Sequence, residues 1–389
     1  MPSEWRETTL GEVVTLQRGF DLPETERHGG TVPVIASTGV VGCHDEATAA
    51  GPGVVIGRSG SIGGGQFIRD GFWPLNTTLW VKDFHGNDPR FCYYLLLSMS
   101  FAGYNVGGAV PTLNRNHIHP LPVRVPSDIT EQRSIARILG ALDDKIELNR
   151  KLNETLEQMA RAIFKSWFAD FEPFRDKGMV DSPLGMIPKG WSTQSLYDCA
   201  EFVNGAAYSD FDFAPDRSGL PVVKISELKD GVTPQTKFTH TDLGAKYRID
   251  SRDMLYSWSG SPDTSLDVFI WMGGPAWLNQ HIFRVDLHSS YERCFVYCLL
   301  RTLKPTLVEI ARDKQTTGLG HVTTRDMKGL LVVKAPANVL QRFEESVGPI
   351  CDRRMLNESE SRTLAAIRDA LLPKLMNGEV RVETREEDS

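Results

Sequence analysis

The sequence lacks the features that would place it in a membrane or an oxidising compartment. It has no uninterrupted apolar run of about 18 residues, and its start, Met-Pro-Ser-Glu-Trp-Arg-Glu, contains no apolar leader. We therefore expect neither a membrane span nor a signal peptide. Its six cysteines form no Cys-x-x-Cys pair, which argues against structural zinc and for a reducing compartment. These absences predict a cytoplasmic protein that holds no metal.

The chain also lacks an excess of positive charge. Lys and Arg number 43 against 50 Asp and Glu, which gives a formal net charge of −7. Proteins that bind nucleic acid unaided normally have a strong basic balance. Acidic residues are concentrated in the tail and on long helical stretches, whereas basic and amide residues gather in loops. We therefore expect this chain alone to bind DNA weakly.

Two long stretches, 131–168 and 339–376, have a seven-residue repeat of apolar residues and superimpose after a shift of 208 residues. Such a repeat buries one seam of a helix against another helix, and a lone Asn in the seam fixes the register. Each series has Asn at its middle, which predicts an antiparallel pair centred on these two residues. The alternative, two core helices of one large domain, fits their polar outer faces less well. The seam residues that we expect to pair the helices and bind partners are Leu142, Asn149, Leu156, Ile163, Ile350, Asn357, Leu364 and Leu371.

Shorter blocks also recur in the same order in each half of the chain. They include a Trp, a Leu and a Gly at equal spacing, a strand entered through proline, a Ser-Gly-Ser turn and a Leu-Asn pair. The matched blocks are Trp5, Leu10 and Gly19 with Trp191, Leu196 and Gly205; 32–35 with 220–223; 59–61 with 259–261; and 75–76 with 278–279. The chain therefore consists of two similar halves.

The pattern within each half is a series of short strands and one short helix, separated by glycine and proline turns. This pattern predicts an α+β fold with twisted, mostly antiparallel sheets. A single core rarely supports this length, so we expect two globules separated by the two long helices. The short helices are predicted at 90–99 and 292–303. The predicted boundaries are 1–128 and 189–337 for the globules, 129–168 and 338–376 for the helices, 169–188 for a linker, and 377–389 for an acidic tail.

Several patterns resemble parts of enzymes. Asp216, Glu227 and Lys229 loosely fit a metal-dependent endonuclease, in which carboxylates bind Mg²⁺ and a lysine assists water; this is the main alternative function. The glycine-rich segment 57–65 lacks the Gly-Lys-Ser/Thr of phosphate-binding loops, and His117 and His119 lack a third metal ligand. The sequence has neither an Asn-Pro-Pro-aromatic methyltransferase motif nor a Walker lysine. We therefore expect no catalytic residues in this chain.

The sequence resembles one family over nearly its whole length. The similar segments are Ile-Phe-Lys-Ser-Trp-Phe-Ala-Asp-Phe-Glu-Pro at 163–173, Leu-Gly-Met-Ile-Pro-Lys-Gly-Trp at 184–191, Trp-Leu-Asn-Gln-His-Ile-Phe at 277–283 and Glu-Gln-Arg at 131–133. In this order, and with the twofold repeat, they resemble the specificity subunits of type I restriction-modification systems.

The resemblance implies a non-catalytic protein that recognises double-stranded DNA. Each globule would be a target recognition domain that reads one half of a bipartite, asymmetric site, and the paired helices would act as a spacer. Two adenine methyltransferase subunits would dock on the helices, and motor nuclease subunits can join them. S-adenosylmethionine, and ATP with Mg²⁺ where a motor is present, would be bound by those partners and not by this chain.

Sequence is read through hydrogen bonds to base edges, so the polar loop residues are the candidates for DNA contact. In the first globule they are Arg18, Arg58, Ser59, Ser61, Thr77, Asn114, Arg115, Asn116 and His117. In the second they are Lys224, Ser259, Ser261, Gln280, His281, Lys314, Gln315, Thr316, Thr317, Thr324 and Arg325. Asn114 and Thr323 fit helix caps equally well, and the repeated Ser-Gly-Ser turns fit a framework role.

Overall fold

The computed structural model describes residues 4–315 and 319–382. The chain divides into two compact units, one formed by Met1–Leu148 with Glu360–Ser389 and the other by Asn149–Ser359. Both long helices cross this division, so each unit contains one globule and a part of each helix. Among the helices described, none is long and apolar enough to cross a membrane.

The first globule is built from two sheets and a strand pair. A four-stranded antiparallel sheet has the order β2-β8-β5-β6, and a three-stranded sheet has the order β4-β3-β7, with β3 and β7 parallel; β1 pairs with β9. The strands are β1 (Trp5–Thr9), β2 (Thr15–Arg18), β3 (Val32–Ala36), β4 (Gly39–His44), β5 (Gly53–Gly57), β6 (Gly63–Ile68), β7 (Trp73–Pro74), β8 (Thr78–Asp83) and β9 (Pro122–Pro126). The helices are α1 (Leu10–Val13), α2 (Pro89–Ser98), α3 (Arg115–Ile118) and the long α4 (Ile129–Phe168).

The second globule repeats this arrangement. Its strands are β10 (Met179–Val180), β11 (Ile187–Pro188), β12 (Ser192–Ser195), β13 (Glu201–Asn204), β14 (Leu220–Val223), β15 (Phe238–Thr239), β16 (Arg248–Ile249), β17 (Met254–Ser257), β18 (Ser259–Gly260), β19 (Asp267–Ile270), β20 (Ala276–Leu278), β21 (Ile282–Asp286), β22 (Gly320–His321) and β23 (Leu331–Lys334). Its helices are α5 (Ile225–Asp230), α6 (Pro262–Ser265), α7 (Arg293–Asp313), α8 (Thr324–Gly329) and the long α9 (Ala337–Met376). The sheet β13-β21-β17-β19 corresponds to β2-β8-β5-β6, and β15-β14-β20 corresponds to β4-β3-β7. The predicted α+β class with mostly antiparallel sheets is confirmed.

The two long helices pack against each other as the heptad pattern predicts. Within the second unit, the Asn149 Nδ2 atom donates a hydrogen bond to the backbone oxygen of Asn357 at 3.4 Å, and the Asn357 Nδ2 atom donates to Asn153 Oδ1 at 2.9 Å. Asn149 and Asn357 are each only 1% exposed. A buried amide that lost these partners would be costly, so the contact holds one register. The predicted pairing of the two central asparagines is therefore observed.

The long helices also complete the core of each globule. In the second unit, Phe164 and Phe168 of α4 pack on Phe343 of α9, with ring centroids 6.1 and 4.9 Å from it. Phe295 of α7 packs on the same cluster, 4.8 Å from Phe168. The first unit uses the other parts of the helices in the same way. Its core includes Ile135 and Leu139 of α4 and Leu372, Leu375 and Met376 of α9.

The segment predicted as a linker, 169–188, is packed into the second unit. Phe174 is buried and lies 5.1 Å from the Trp191 ring, and Ile187 joins the same core. Trp5, at the position of the first half that matches Trp191, is covered by the segment that follows α9. The Arg381 guanidinium lies over its ring at 5.7 Å and forms an ion pair with the buried carboxylate of Glu131. The proline and glycine content of 169–188 predicted a linker and did not reveal that this segment is packed into the core.

Helix α7 extends to Asp313, ten residues beyond the predicted end at 303. The prediction was wrong because it ended the helix before Pro305, which lies inside it. Proline in a helix costs about 3 kcal/mol. Leu307, Val308 and Ala311 continue the buried face of the helix beyond the proline, and their burial offsets that cost.

The structure also corrects one match between the halves. The amide of Leu75 donates to Ile35 O at 2.8 Å, and the amide of Asn279 donates to Val223 O at 3.1 Å. Because β3 and β14 correspond, Leu75 is equivalent to Asn279 and not to Leu278. The Leu-Asn pairs matched in the sequence are thus one residue out of register. The equivalents of Asn76 and Thr77 are Gln280 and His281.

A glycine marks the crossing of the chain over this strand in both globules. A Cβ atom on Gly19 would lie 2.2 Å from Leu75 O, and one on Gly205 would lie 2.2 Å from Asn279 O. No side chain fits at such distances, so both positions require glycine. The shared contact explains why these two glycines have equal spacing from Trp5 and Trp191.

The aromatic cluster should dominate the stability of the second unit. We expect Phe343→Ala, at a fully buried position, to lower the free energy of unfolding by about 3–5 kcal/mol through lost burial and a cavity. Urea unfolding followed by tryptophan fluorescence measures this, since Trp167 and Trp191 lie in the cluster. The control is Leu356→Ala on the same helix, 61% exposed, which should change it by about 0.5 kcal/mol or less. Equal effects would contradict the assigned core.

The crossing glycine should tolerate no side chain. Gly19→Ala is expected to destabilise the first globule by about 1–3 kcal/mol because the new methyl group overlaps the Leu75 carbonyl. Thermal unfolding measures the effect. Gly29→Ala is the matched control, because a Cβ at Gly29 meets no atom within 4 Å. A neutral Gly19→Ala would show that the close approach is absent in solution.

Candidate nucleic-acid interface

A cleft of about 730 Å³ opens at the end of the four-stranded sheet of the first globule. It lies where β2 ends, where β5 ends, and where the loop before α3 returns to the sheet. Four predicted DNA-contacting residues line it, together with other polar and apolar residues from the same loops. The lining residues are Gln17, Arg18, Gly19, Phe20, Asp21, Arg58, Leu79, Val106, Thr112, Leu113, Asn114 and Arg115.

The three arginines of this cleft differ from most of their neighbours in having no acidic partner. Among the residues described, Arg18, Arg58 and Arg115 form no ion pair with a carboxylate, whereas Arg90 pairs with Asp144 at 2.7 Å. Arg58 donates to Asn76 O at 2.9 Å and Arg115 to Leu16 O at 3.3 Å, both backbone oxygens. Carbonyl partners orient a guanidinium and leave its charge uncompensated. The cleft is therefore electropositive, although the chain is acidic.

Arg18 is close enough to Arg58 to affect the pKa of the Arg58 guanidinium. Burial, and next the positive charge of Arg18, lower the pKa of the Arg58 guanidinium from its ordinary value. Two neighbouring cations without an ion-pair partner are stabilised by any anion that enters the cleft. Asp21 is the acidic residue in the lining, and its carboxylate accepts a hydrogen bond from Asn76 Nδ2. A phosphate oxygen or the acceptor edge of a base would meet free donors here.

The other predicted residues of the first globule lie around this cleft in structural roles. Asn114 caps α3, since its Oδ1 atom accepts from the Asn116 amide at 3.0 Å. The Ser59 amide donates to Thr77 O at 3.0 Å, and Thr77 Oγ1 accepts from the Ser37 amide at 3.3 Å. Asn116 and His117 are exposed on α3, and Ser61 is exposed in the turn after β5.

The corresponding place in the second globule has different side chains. Asn204 ends β13 as Arg18 ends β2, and Trp258 follows β17 as Arg58 follows β5. The Trp258 Nε1 atom donates to Asn204 Oδ1 at 3.0 Å. His281, a predicted residue, places its ring 5.9 Å from the Trp258 ring. The second globule thus presents an amide and two aromatic rings where the first presents arginines.

Of the remaining predicted residues of the second globule, some lie near the sheet end at Asn204 and Trp258 and others lie elsewhere in the globule. Gln280, Thr324 and Arg325 are exposed, and Gln280 lies 3.5 Å from His281 between side-chain nitrogens. The Lys314 ammonium is paired with Asp326, and the Lys224 ammonium lies 5.1 Å over the Phe213 ring. The rest occupy the turn after β17 or the loop after α7. Ser259 pairs with His321, Ser261 is exposed, Gln315 is exposed and bonded within the chain, and Thr316 and Thr317 lie outside the described residues.

Asn204 and Trp258 were not among the sequence candidates, although the repeat contained the signal that identifies them. Asn204 immediately precedes Gly205, as Arg18 precedes Gly19, and Trp258 precedes a Ser-Gly-Ser turn, as Arg58 does. The sequence candidates were polar residues predicted to lie in loops. Asn204 ends a strand and Trp258 is aromatic, so only their positions relative to the strands identify them. Thr323 proves to be a cap, since its side chain accepts from the Asp326 amide at 3.3 Å.

The predicted seam residues lie along the contact between the long helices. Asn149, Leu156 and Asn357 are buried. The others are half-buried, and some of them contact the globule cores. These half-buried residues are Leu142, Ile163, Ile350, Leu364 and Leu371. The seam therefore forms part of the core, and its role in partner binding stays a prediction.

The residues of the alternative nuclease site serve the local fold. The Glu227 carboxylate accepts from the Lys224 amide and from the Ser226 and Thr236 hydroxyls at 2.9 to 3.0 Å, and it caps α5 while 5% exposed. Asp216 accepts from Ser218 within its own turn. These hydrogen bonds account for both carboxylates, so the geometry does not favour a catalytic pair.

Within the described residues, one group has metal-ligand chemistry: His28, His44 and Asp45. The His44 Nδ1 atom already accepts from the His28 backbone amide at 3.0 Å, and the nearest Asp45 oxygen lies 3.2 Å from it. A cation at this nitrogen would have to displace that hydrogen bond. We therefore assign no metal to this group.

The sequence is similar to known proteins of one kind. Residues 2–158 match the type I restriction modification DNA specificity domain. The MjaIX type I restriction enzyme specificity subunit of Methanocaldococcus jannaschii is 31% identical over 324 residues, which are 80% of this chain and 74% of that protein. The HindI specificity subunit of Haemophilus influenzae is 24% identical over 358 residues, 75% of this chain and 77% of that protein.

The fold agrees with these sequence matches. The crystal structure of a type I restriction-modification system S subunit from M. genitalium aligns with a TM-score of 0.61 and 16% identity, over 96% of each chain. The 31% identity to the MjaIX subunit and its coverage show that the chain belongs to the type I restriction-modification specificity subunits, the non-catalytic subunits that specify DNA.

Proposed function

We propose that each globule reads one half of a bipartite, asymmetric DNA site and that the paired helices set the separation between the halves. The observation that carries this proposal is the equivalence of two sheet ends with different chemistry. The first has three arginines without acidic partners, and the second has Asn204, Trp258 and His281. Readers with the same scaffold and different side chains recognise different bases, because each base pair presents its own donors and acceptors in the major groove.

The charge distribution supports a role within a complex. The chain has a net charge of −7, so long-range attraction to DNA is weak. The local arginine cluster can still bind an anion once DNA is held nearby. We infer that partner subunits provide much of the phosphate contact and that this chain provides the selection of bases.

The long helices support docking of those partners. Both helices carry large apolar side chains that are exposed: Ile138, Leu148 and Ile367 in the first unit, and Met159 and Leu356 in the second. Single exposed apolar residues are ordinary on a protein surface, but five on two helices, beside the buried seam, fit a partner surface. We infer that two adenine methyltransferase subunits bind there and that motor nuclease subunits can join them. These partners would bind S-adenosylmethionine, and ATP with Mg²⁺ in the motor.

The main experiment is to express the chain with its methyltransferase partner in a host that lacks both and to sequence the methylome. The proposal predicts methylated adenines within one motif made of two unequal halves at a constant separation. A single contiguous motif, or methylation without sequence preference, would contradict it. Metal-dependent cleavage of DNA by the purified chain, lost in Asp216→Ala, would support the nuclease alternative.

Exchange of one globule should change one half-site. When residues 1–128 are replaced by those of another specificity subunit, we expect a new sequence in one half of the motif, with the other half and the separation unchanged. The donor should retain Trp at the position of Trp5, since Arg381 and Glu131 contact it. Methylome sequencing is the measurement, and the reciprocal exchange of residues 189–337 is the control. A change in both halves would argue against separate readers.

The exposed apolar face of α9 should contribute to partner binding. Leu356→Asp is expected to weaken association with the methyltransferase about tenfold without lowering the unfolding temperature, because Leu356 is exposed. Analytical ultracentrifugation measures the assembly. Arg353→Ala, an exposed polar position on the same helix, is the control and should have little effect. By contrast, Leu156→Asp should lower the unfolding temperature as well, since Leu156 is buried in the seam. Full assembly by Leu356→Asp would place the docking surface elsewhere.

A further inference from the structure

The two globules place different side chains at one equivalent position of the main sheet. Arg18 is the last residue of β2 and lies opposite Leu79 of β8, while Asn204 is the last residue of β13 and lies opposite Phe283 of β21. Each directly precedes the glycine that crosses the neighbouring strand, Gly19 or Gly205. Both side chains therefore leave a rigid strand end at the same point of the fold.

Of the three arginines in the first cleft, Arg18 has the fewest hydrogen-bond partners. Among the residues described, the Arg18 side chain has no hydrogen-bond or ion-pair partner, and it is exposed. Arg58 beside it is held by the Asn76 carbonyl at 2.9 Å, and Arg115 by the Leu16 carbonyl at 3.3 Å. The cleft thus contains two oriented arginines that contribute charge and one whose planar fork remains available.

Asn204 in the second globule is available in a different way. Its Oδ1 atom accepts from Trp258 Nε1 at 3.0 Å, which holds the amide plane in place. A carbonyl oxygen has a second lone pair, and the Nδ2 atom keeps its donors. The amide can therefore offer one donor and one acceptor side by side to a base.

We propose that this position selects one base in each half-site, with Arg18 selecting guanine and Asn204 selecting adenine. Guanine presents two acceptors, N7 and O6, which match the two parallel donors of a guanidinium. Adenine presents the N7 acceptor and the N6 donor, which match an amide. This assignment rests on the proposed function, because it requires each globule to read its own half-site.

The test uses the complex of the full chain with its methyltransferase partner and a library of randomised duplexes, sequenced before and after binding. Arg18→Ala should reduce the preference for one guanine in one half-site about tenfold or more and leave the other half-site unchanged. Asn204→Ala should relax one adenine in the opposite half-site by a similar factor. Arg18→Asn should shift the first preference from guanine towards adenine.

Matched controls separate base reading from loss of charge. Arg6→Ala removes one exposed arginine from β1 of the same globule, outside the cleft lining, and should leave every base preference intact. Arg18→Lys retains the charge and an exposed surface position but loses the planar fork. It should lower guanine selection while the dependence of binding on salt remains that of the unmodified chain.

The outcomes distinguish this inference from the proposed function. If the unmodified complex selects no bipartite sequence, the proposed function fails and this inference fails with it. If it selects one, but Arg18→Ala weakens binding equally on all sequences, Arg18 contacts phosphate and the inference alone is overturned. Relaxation of both half-sites by one substitution, or of the same half-site by Arg18→Ala and Asn204→Ala, would also overturn it.

Discussion

The structure depends on the packing of two long helices that are shared by both units. Neither globule encloses its own core: the first requires Leu372 and Leu375 from the end of α9, and the second requires Phe164 and Phe168 from the end of α4. Residues distant along the chain must therefore pack before either core is closed, such as Ile135 with Leu372 in the first and Phe168 with Phe343 in the second. The hydrogen bonds of Asn149 and Asn357 at this seam select one register, and any slip would misplace both sets of core residues.

Because of this packing, the two globules share the framework of their sheets but differ in the side chains at the sheet ends. The sheets of both globules have the same strand order, and Gly19 and Gly205 make the same close approach to a carbonyl. Arg18 and Asn204 at the sheet ends are exposed and take no part in this packing. Arg18 and Asn204 therefore differ at equivalent places without cost to either core, and the chemistry of the sheet end can vary while the framework stays as it is.

Local electrostatics explain how an acidic chain can specify DNA. Some of its acidic residues neutralise arginines inside the fold, as Asp143 and Glu344 do for Arg368 and Arg293. The cleft of the first globule is different, because carbonyl oxygens hold its arginines and leave their charge available. Net charge therefore describes how strongly the chain attracts DNA from a distance, whereas the partners of individual arginines decide where an anion can bind.

The sequence by itself determined the twofold repeat, the long helices and the central asparagines, because heptad spacing and equal block spacing are local properties of a chain. It also placed Arg18, Arg58 and Asn114 among the candidates, and these lie in one cleft. Tertiary structure alone decided three other matters. Helix α7 continues past Pro305 because its later residues are buried. Glu227 caps a helix. Asn204 accepts a hydrogen bond from Trp258. Each of these depends on neighbours that are distant along the chain or on hydrogen bonds that residue type does not reveal.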